Sequence, residues 1–142
     1  MKSINLFLIT LFTLGLTNLY GQNATADIKV VVHNIESNEG SIMIGLYNSA
    51  NTFLKEGGYK YLTIPAKKGS IETTFKDVPY GEYAISLFHD KDDNKELNLR
   101  FGLIPSEPYS VSNNAKEKYS APKWNKAVFK VLNQNITQNI NL

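Results

Sequence analysis

No cysteine occurs in the 142 residues. That removes a disulfide framework and a lipid-anchoring Cys behind a leader. Only two histidines are present, His33 and His89, too few for a zinc centre. No basic stripe is available to neutralise phosphates, so nucleic acid is excluded as a partner. Gly-x-Ser-x-Gly is absent, and with it the nucleophile elbow of a hydrolase. No segment has the periodicity of an amphipathic helix. The one long apolar run, Ile4 to Leu19, is shorter than the roughly 20 residues that span a bilayer.

That run follows Lys2 and ends at Gly21 before the polar Gln22-Asn23-Ala24-Thr25, the pattern of a secretory leader. We expect residues 1–21 to be removed, leaving a single domain over 22–142 with no transmembrane segment, either periplasmic or extracellular. Loss of Lys2 leaves 14 Lys and Arg against 13 Asp and Glu, so the remaining domain is nearly neutral. About 120 residues suffice for a core without covalent staples.

Beyond the leader, alternating stretches dominate. Ile28, Val30 and Val32 share one face of a first strand, and Ile42, Ile44 and Leu46 one face of a second. Gly45 interrupts that second strand, where a bulge or a close backbone approach is the usual cause. Phe53 and Leu54 read as a cap on a short irregular turn. Strands follow at Tyr59 to Ile64 and around Ile71, Thr73 and Phe75. The strand after Gly81 is apolar on both faces, Tyr83, Ile85 and Leu87 against Ala84, Ser86 and Phe88. Ala127 to Leu132 and Asn135 to Leu142 complete the set. About seven short strands predict an all-β, single antiparallel sandwich.

Between Asp90 and Pro122 lies a long aperiodic segment whose Leu97, Leu99, Phe101, Leu103, Ile104, Tyr109 and Val111 are too apolar for a solvated linker. We expect it to be an ordered loop over one end of the sandwich. It begins with Asp90, Asp92, Asp93, Asn94, Glu96 and Asn98 within nine residues. Asp90-x-Asp92-x-Asn94 matches the first ligands of a Ca²⁺ loop, with the Glu96 backbone carbonyl and the Asn98 side chain, directly or through water, as further ligands. Two positions depart from the EF-hand pattern: Lys95 stands where Gly makes the sharp turn, and Phe101 where a bidentate Glu closes the shell. The same residues also suit a solvated acidic turn stabilised by Asx hydrogen bonds. If metal binds, extracellular modules suggest a Kd of about 10⁻⁴ to 10⁻³ M.

The ordered series Pro79-x-Gly81-x-Tyr83-Ala84, His89-Asp90-x-Asp92-x-Asn94-x-x-Leu97-Asn98, Ile104-Pro105-x-Glu107, Tyr109 and Ser112-Asn113-Asn114 resembles a family of uncharacterised bacterial secreted proteins, a domain of unknown function. The resemblance extends over nearly the whole chain beyond the leader. It departs at Leu103, an extra residue, at Ser110 in place of Gly, and at Asn98 in place of Asp. It implies a transthyretin-like or immunoglobulin-like sandwich and brings no established activity.

The expected function is therefore a non-enzymatic binding or structural module for an envelope protein or a glycan. Its metal ligands would be Asp90, Asp92, Asn94, Glu96 and Asn98. Its binding surface would draw on His89, Asp93, Glu107, Tyr109, Ser112, Asn113 and Asn114. The alternative is a hydrolase, for example glycan-acting, using the same carboxylates. A third reading is carbohydrate recognition by Tyr80, Tyr109 and Trp124, which requires them to be exposed; such aromatics more often serve as core or cap.

Overall fold

The computed structural model describes residues 24–118 and 120–142; the expected leader lies outside the described residues. Ten strands follow in order: β1 (Thr25–Ile35), β2 (Ser41–Tyr47), β3 (Lys60–Pro65), β4 (Gly69–Pro79), β5 (Gly81–Asp90), β6 (Leu99–Arg100), β7 (Ile104–Pro105), β8 (Tyr109–Val111), β9 (Phe129–Val131) and β10 (Ile136–Asn141). The chain is mostly β, as its alternation predicts.

One sheet has the order β10-β1-β4; the other runs β3-β2-β5-β8, with β9 also paired to β5. Their inner faces share one core. Ile28, Val30 and Val32 of β1, with Phe75 of β4 and Ile140 of β10, meet Ile42, Ile44 and Leu46 of β2 and Ile85 and Leu87 of β5. Each such aliphatic side chain, fully withdrawn from water, contributes about 1.5–3 kcal/mol before the entropy of ordering it is counted. The alternation read from the sequence thus selects the buried face of each of these strands.

Two features depart from the simple antiparallel plan. β10 pairs parallel with β1, Ile28 opposite Ile136 through His33 opposite Asn141. Trp124–Ala127 forms a single helical turn, α1, so the strand expected from Ala127 begins only at Phe129. Alternating apolar residues mark a strand but carry no sign of its direction.

The outer face of the β2–β5 sheet bears a second, smaller core. Tyr47, Phe53, Ala84, Val111 and Ala127 are buried together there, with Leu54 and Trp124 packed against them. Phe53 meets Tyr47 and Trp124 edge-on at 5.6 and 5.7 Å, a favoured aromatic geometry. This explains why β5 is apolar on both faces. Gly45 is not a bulge, because β2 keeps continuous register with β3 and β5. A Cβ there would press on the Tyr47 ring at 3.0 Å and on Tyr61 at 3.2 Å.

Candidate metal centre and the hairpin beside it

The acidic loop starts where β5 ends, and β2 holds its base. Gly40, entering β2 at φ +66°, is forced to be glycine, since a Cβ would collide with the backbone carbonyl of Asp90. That close approach sets the end of β5 against the start of β2, where Ser41 is the register partner of Asp90. Ser41 also donates its hydroxyl to Asp93 Oδ1 at 2.8 Å.

Asp90 is 1% exposed. Its Oδ1 accepts the Asn94 amide at 3.1 Å, and its Oδ2 accepts the Lys95 amide at 2.9 Å. These two bonds bend the chain back over the strand end. Lys95 itself takes the left-handed conformation, φ +67°. The turn that glycine makes in an EF-hand is therefore made here by a lysine whose amide is held by a buried carboxylate.

Glu107 performs the same service from the far end of the segment. It is 8% exposed, with Oε1 accepting the Lys91 amide at 2.9 Å and Oε2 the Asn98 amide at 3.0 Å. One carboxylate thus ties the two ends of the loop together. Charge-assisted bonds to backbone amides are the stronger kind of hydrogen bond.

These staples bring Asp90, Asp92 and Glu107 together, one carboxylate oxygen of each lying within 4.8 Å of the others. Asp92 is exposed. Its Oδ2 accepts the side-chain amides of Asn98 at 2.9 Å and Asn94 at 3.2 Å. The Asn98 amide, aided by the Asn94 backbone amide and opposed by partial desolvation, holds the Asp92 carboxyl below the usual carboxylate range. The loop is consequently a charged knot whose acids converge while its amides bind them.

Of the expected ligands, Asp90, Asp92, Asn94 and Asn98 are joined in this network. Glu96, expected to offer its backbone carbonyl, is exposed, and its backbone amide is accepted by Asn94 Oδ1 at 2.7 Å. Glu107 takes the third acidic place. Sequence spacing could not reveal it, since it stands nine residues beyond Asn98, and only the Ile104-Pro105-x-Glu107 pattern marked it.

The residues expected at the binding surface are dispersed. His89 is fully buried, with its Nε2 donating to the Glu39 carbonyl at 2.7 Å. Ser112 is also fully buried and donates to the Ala127 carbonyl at 2.6 Å, while accepting the Ile85 amide at 2.9 Å. Asn113 donates to the carbonyls of Lys126 and Val128, and Asn114 accepts the Asn141 amide at 2.8 Å. All four are occupied in holding the fold. Tyr80 and Tyr109 are each 41% exposed, but Tyr109 is the register partner of Phe88. The eight-residue interval from Tyr80 to Phe88 corresponds to about 26 Å of extended strand, too far for one stacking platform. Trp124 is half-buried against Phe53.

A family model described as an uncharacterized protein conserved in bacteria, DUF2141, matches residues 30–139. The chain belongs to that family. No curated protein and no solved structure matches it. The DUF2141 span runs from within β1 to within β10 and contains the whole loop and Glu107, so the knot is part of the matched domain. Among the described residues no helix is long and apolar enough to cross a membrane.

Directly after the DUF2141 loop, β6 and β7 form a hairpin, Leu99 opposite Pro105 and Arg100 opposite Ile104. Phe101 and Gly102 make its turn at φ +53° and +69°, closed by the Leu103 amide on the Arg100 carbonyl at 3.2 Å. Positive φ at both central residues is the type I′ arrangement, which favours Asn-Gly over an aromatic first residue. Phe101 is 94% exposed and Leu103 82%. Among the described residues no packing compensates for the strained backbone of Phe101.

Proposed function

We propose that this chain is an exported, non-enzymatic binding or structural module of the bacterial envelope whose Asp90–Asn98 loop is a weak Ca²⁺ site. The convergence of the Asp90, Asp92 and Glu107 carboxylates within 4.8 Å carries the reading. Three carboxylates so close repel one another, and a hard dication is the ordinary relief.

Asp90, Asp92 and Glu107 would supply the anionic oxygens. Asn94 and Asn98 would add neutral ones once their amides turn from Asp92. Water would complete the six to eight oxygens that Ca²⁺ takes. The bound ion would stiffen the loop and, through it, the hairpin that follows. A hydrolase on the same carboxylates has less support, since a general acid needs a raised pKa and Asp92 has a lowered one.

Thermal unfolding in 10 mM Ca²⁺, in chelator and in Mg²⁺ tests the proposal. With Kd between about 10⁻⁴ and 10⁻³ M, Ca²⁺ at that concentration adds about 1.4–2.7 kcal/mol, a rise of several degrees. Asp92→Asn should abolish the Ca²⁺ response and leave the melt in chelator within about 1 kcal/mol of the parent. Equal melts in Ca²⁺ and chelator would refute the site, as would a full response in the variant.

A further inference from the structure

The hairpin and the outer face of β5 enclose a groove of about 760 Å³. Its floor includes Phe88, its near wall is Leu99, Leu103 and Ile104, and Leu54 stands on the opposite wall. Tyr47 at one end is the register partner of Ala84. From that level to Phe88 the groove follows four residues of β5, about 13 Å of strand.

Leu103 is 82% exposed, Ile104 61% and Leu99 47%. Apolar residues scattered singly on a surface need no explanation, but several lining one concavity mark a place that something covers. The volume lies within the roughly 300–1,000 Å³ of small-molecule sites. The walls are mainly aliphatic, so they suit a flexible hydrocarbon better than a polar solute that needs a set of matched donors.

Charge at the mouth selects the other end of the ligand. Glu117 lines the groove, but its enclosed Oε1 faces the Lys126 ammonium at 2.9 Å, which neutralises it. Lys55 and Lys118 line it too; Lys118 is engaged in an interaction of its own, whereas the Lys55 ammonium makes no hydrogen bond or ion pair among the described residues. Glu56 beside it is not part of the lining. An apolar trough with an unpaired cation at its mouth is complementary to an anionic amphiphile.

We propose that this groove binds a long-chain carboxylate, the acyl chain lying along β5 beneath the β6–β7 hairpin and the carboxylate meeting Lys55. No bond is made or broken. The site shares no ligand atom with the proposed metal centre, so either can fail without the other.

Titration calorimetry of the chain with dodecanoate below its micellar concentration, in chelator, is the test. Butyrate supplies the head without the chain, and dodecyl maltoside the chain without the charge. One dodecanoate should bind per protein, with no heat from butyrate and weaker binding of the maltoside. Lys55→Glu should weaken dodecanoate about tenfold or more, the scale of one lost charge pair. Leu103→Asp should abolish binding. Both side chains are exposed, so the melting temperature of each variant should match the parent. The proposal is overturned if dodecanoate does not bind, if both variants bind it as the parent does, or if the maltoside binds equally well. It is also overturned if sedimentation shows a dimer that Leu103→Asp dissociates, for then a second copy covers the groove.

Discussion

Residues 90–98 and 99–105 adjoin in the chain and are held by opposite means. The first stretch is polar but for Leu97, and two buried carboxylates, its own Asp90 and the distant Glu107, receive four of its backbone amides between them. The second presents Leu99, Phe101, Leu103 and Ile104 to solvent and rests on little beyond its own two-residue ladder. A loop so heavily stapled and a hairpin so openly apolar divide the labour: the first fixes position, and the second offers contact area. Irregular backbone can be rigid when charge is spent on its amides.

The contrast breaks most sharply at Asp90. Asp90→Ala strands two amides at a site 1% exposed. It should cost about 3–6 kcal/mol in thermal or denaturant unfolding, at roughly 1.5–3 kcal/mol per bond to a charged group. Glu107→Ala should cost a comparable amount, and the double variant clearly less than the sum, because both side chains staple one loop. Full additivity would mean that the two staples act on separate structures.

Acid should loosen the polar stretch before it disturbs the apolar one. Asp92, through Asn98, and Asp27, through the Lys76 ammonium and the Asp77 amide, are both held below the usual carboxylate range. The folded form therefore binds these protons less readily than the unfolded chain does. The resulting stability is fully present above the unfolded value, near pH 4, and is lost as pH falls through the lower folded values. Melts should be level from neutrality down to about pH 5 and fall below about pH 4. Asp92→Asn should make that decline shallower; an unchanged slope would contradict the role of Asn98.

The smallest effect belongs to the hairpin tip. Phe101→Asn replaces an aromatic residue by one suited to φ +53°, and should leave stability unchanged or raise it by up to about 1 kcal/mol. A loss exceeding 1 kcal/mol in unfolding experiments would show that Phe101 packs where its 94% exposure says it does not.

The strands and their inward faces were legible because period-two alternation is a local signal, and Ile28, Val30, Val32, Ile42, Ile44 and Leu46 obey it. The turn chemistry was partly legible: the acidic cluster marked the loop, yet Lys95 in a left-handed turn is intelligible only beside the buried Asp90 carboxylate. Glu107 was picked out for the binding surface, but its role as a staple escaped because its partners are backbone amides, which every sequence possesses everywhere. His89 and Ser112 resembled surface groups in type and proved internal: Ser112 is satisfied there by a carbonyl and an amide, whereas His89 bonds the Glu39 carbonyl through Nε2 and leaves Nδ1 buried without a partner among the described residues. The groove was not foreseeable at all, as it arises from a hairpin lying over a strand met many residues earlier.

The parallel pairing of β10 with β1 sets the order of assembly. β1 lies in the middle of its sheet, yet one of its two neighbours is made last among the strands. Until Ile136–Asn141 has been synthesised, β1 carries an open edge and Ile140 is missing from the core. Contacts this distant in sequence form slowly. The first sheet and its share of the core are therefore complete only once β10 has joined β1.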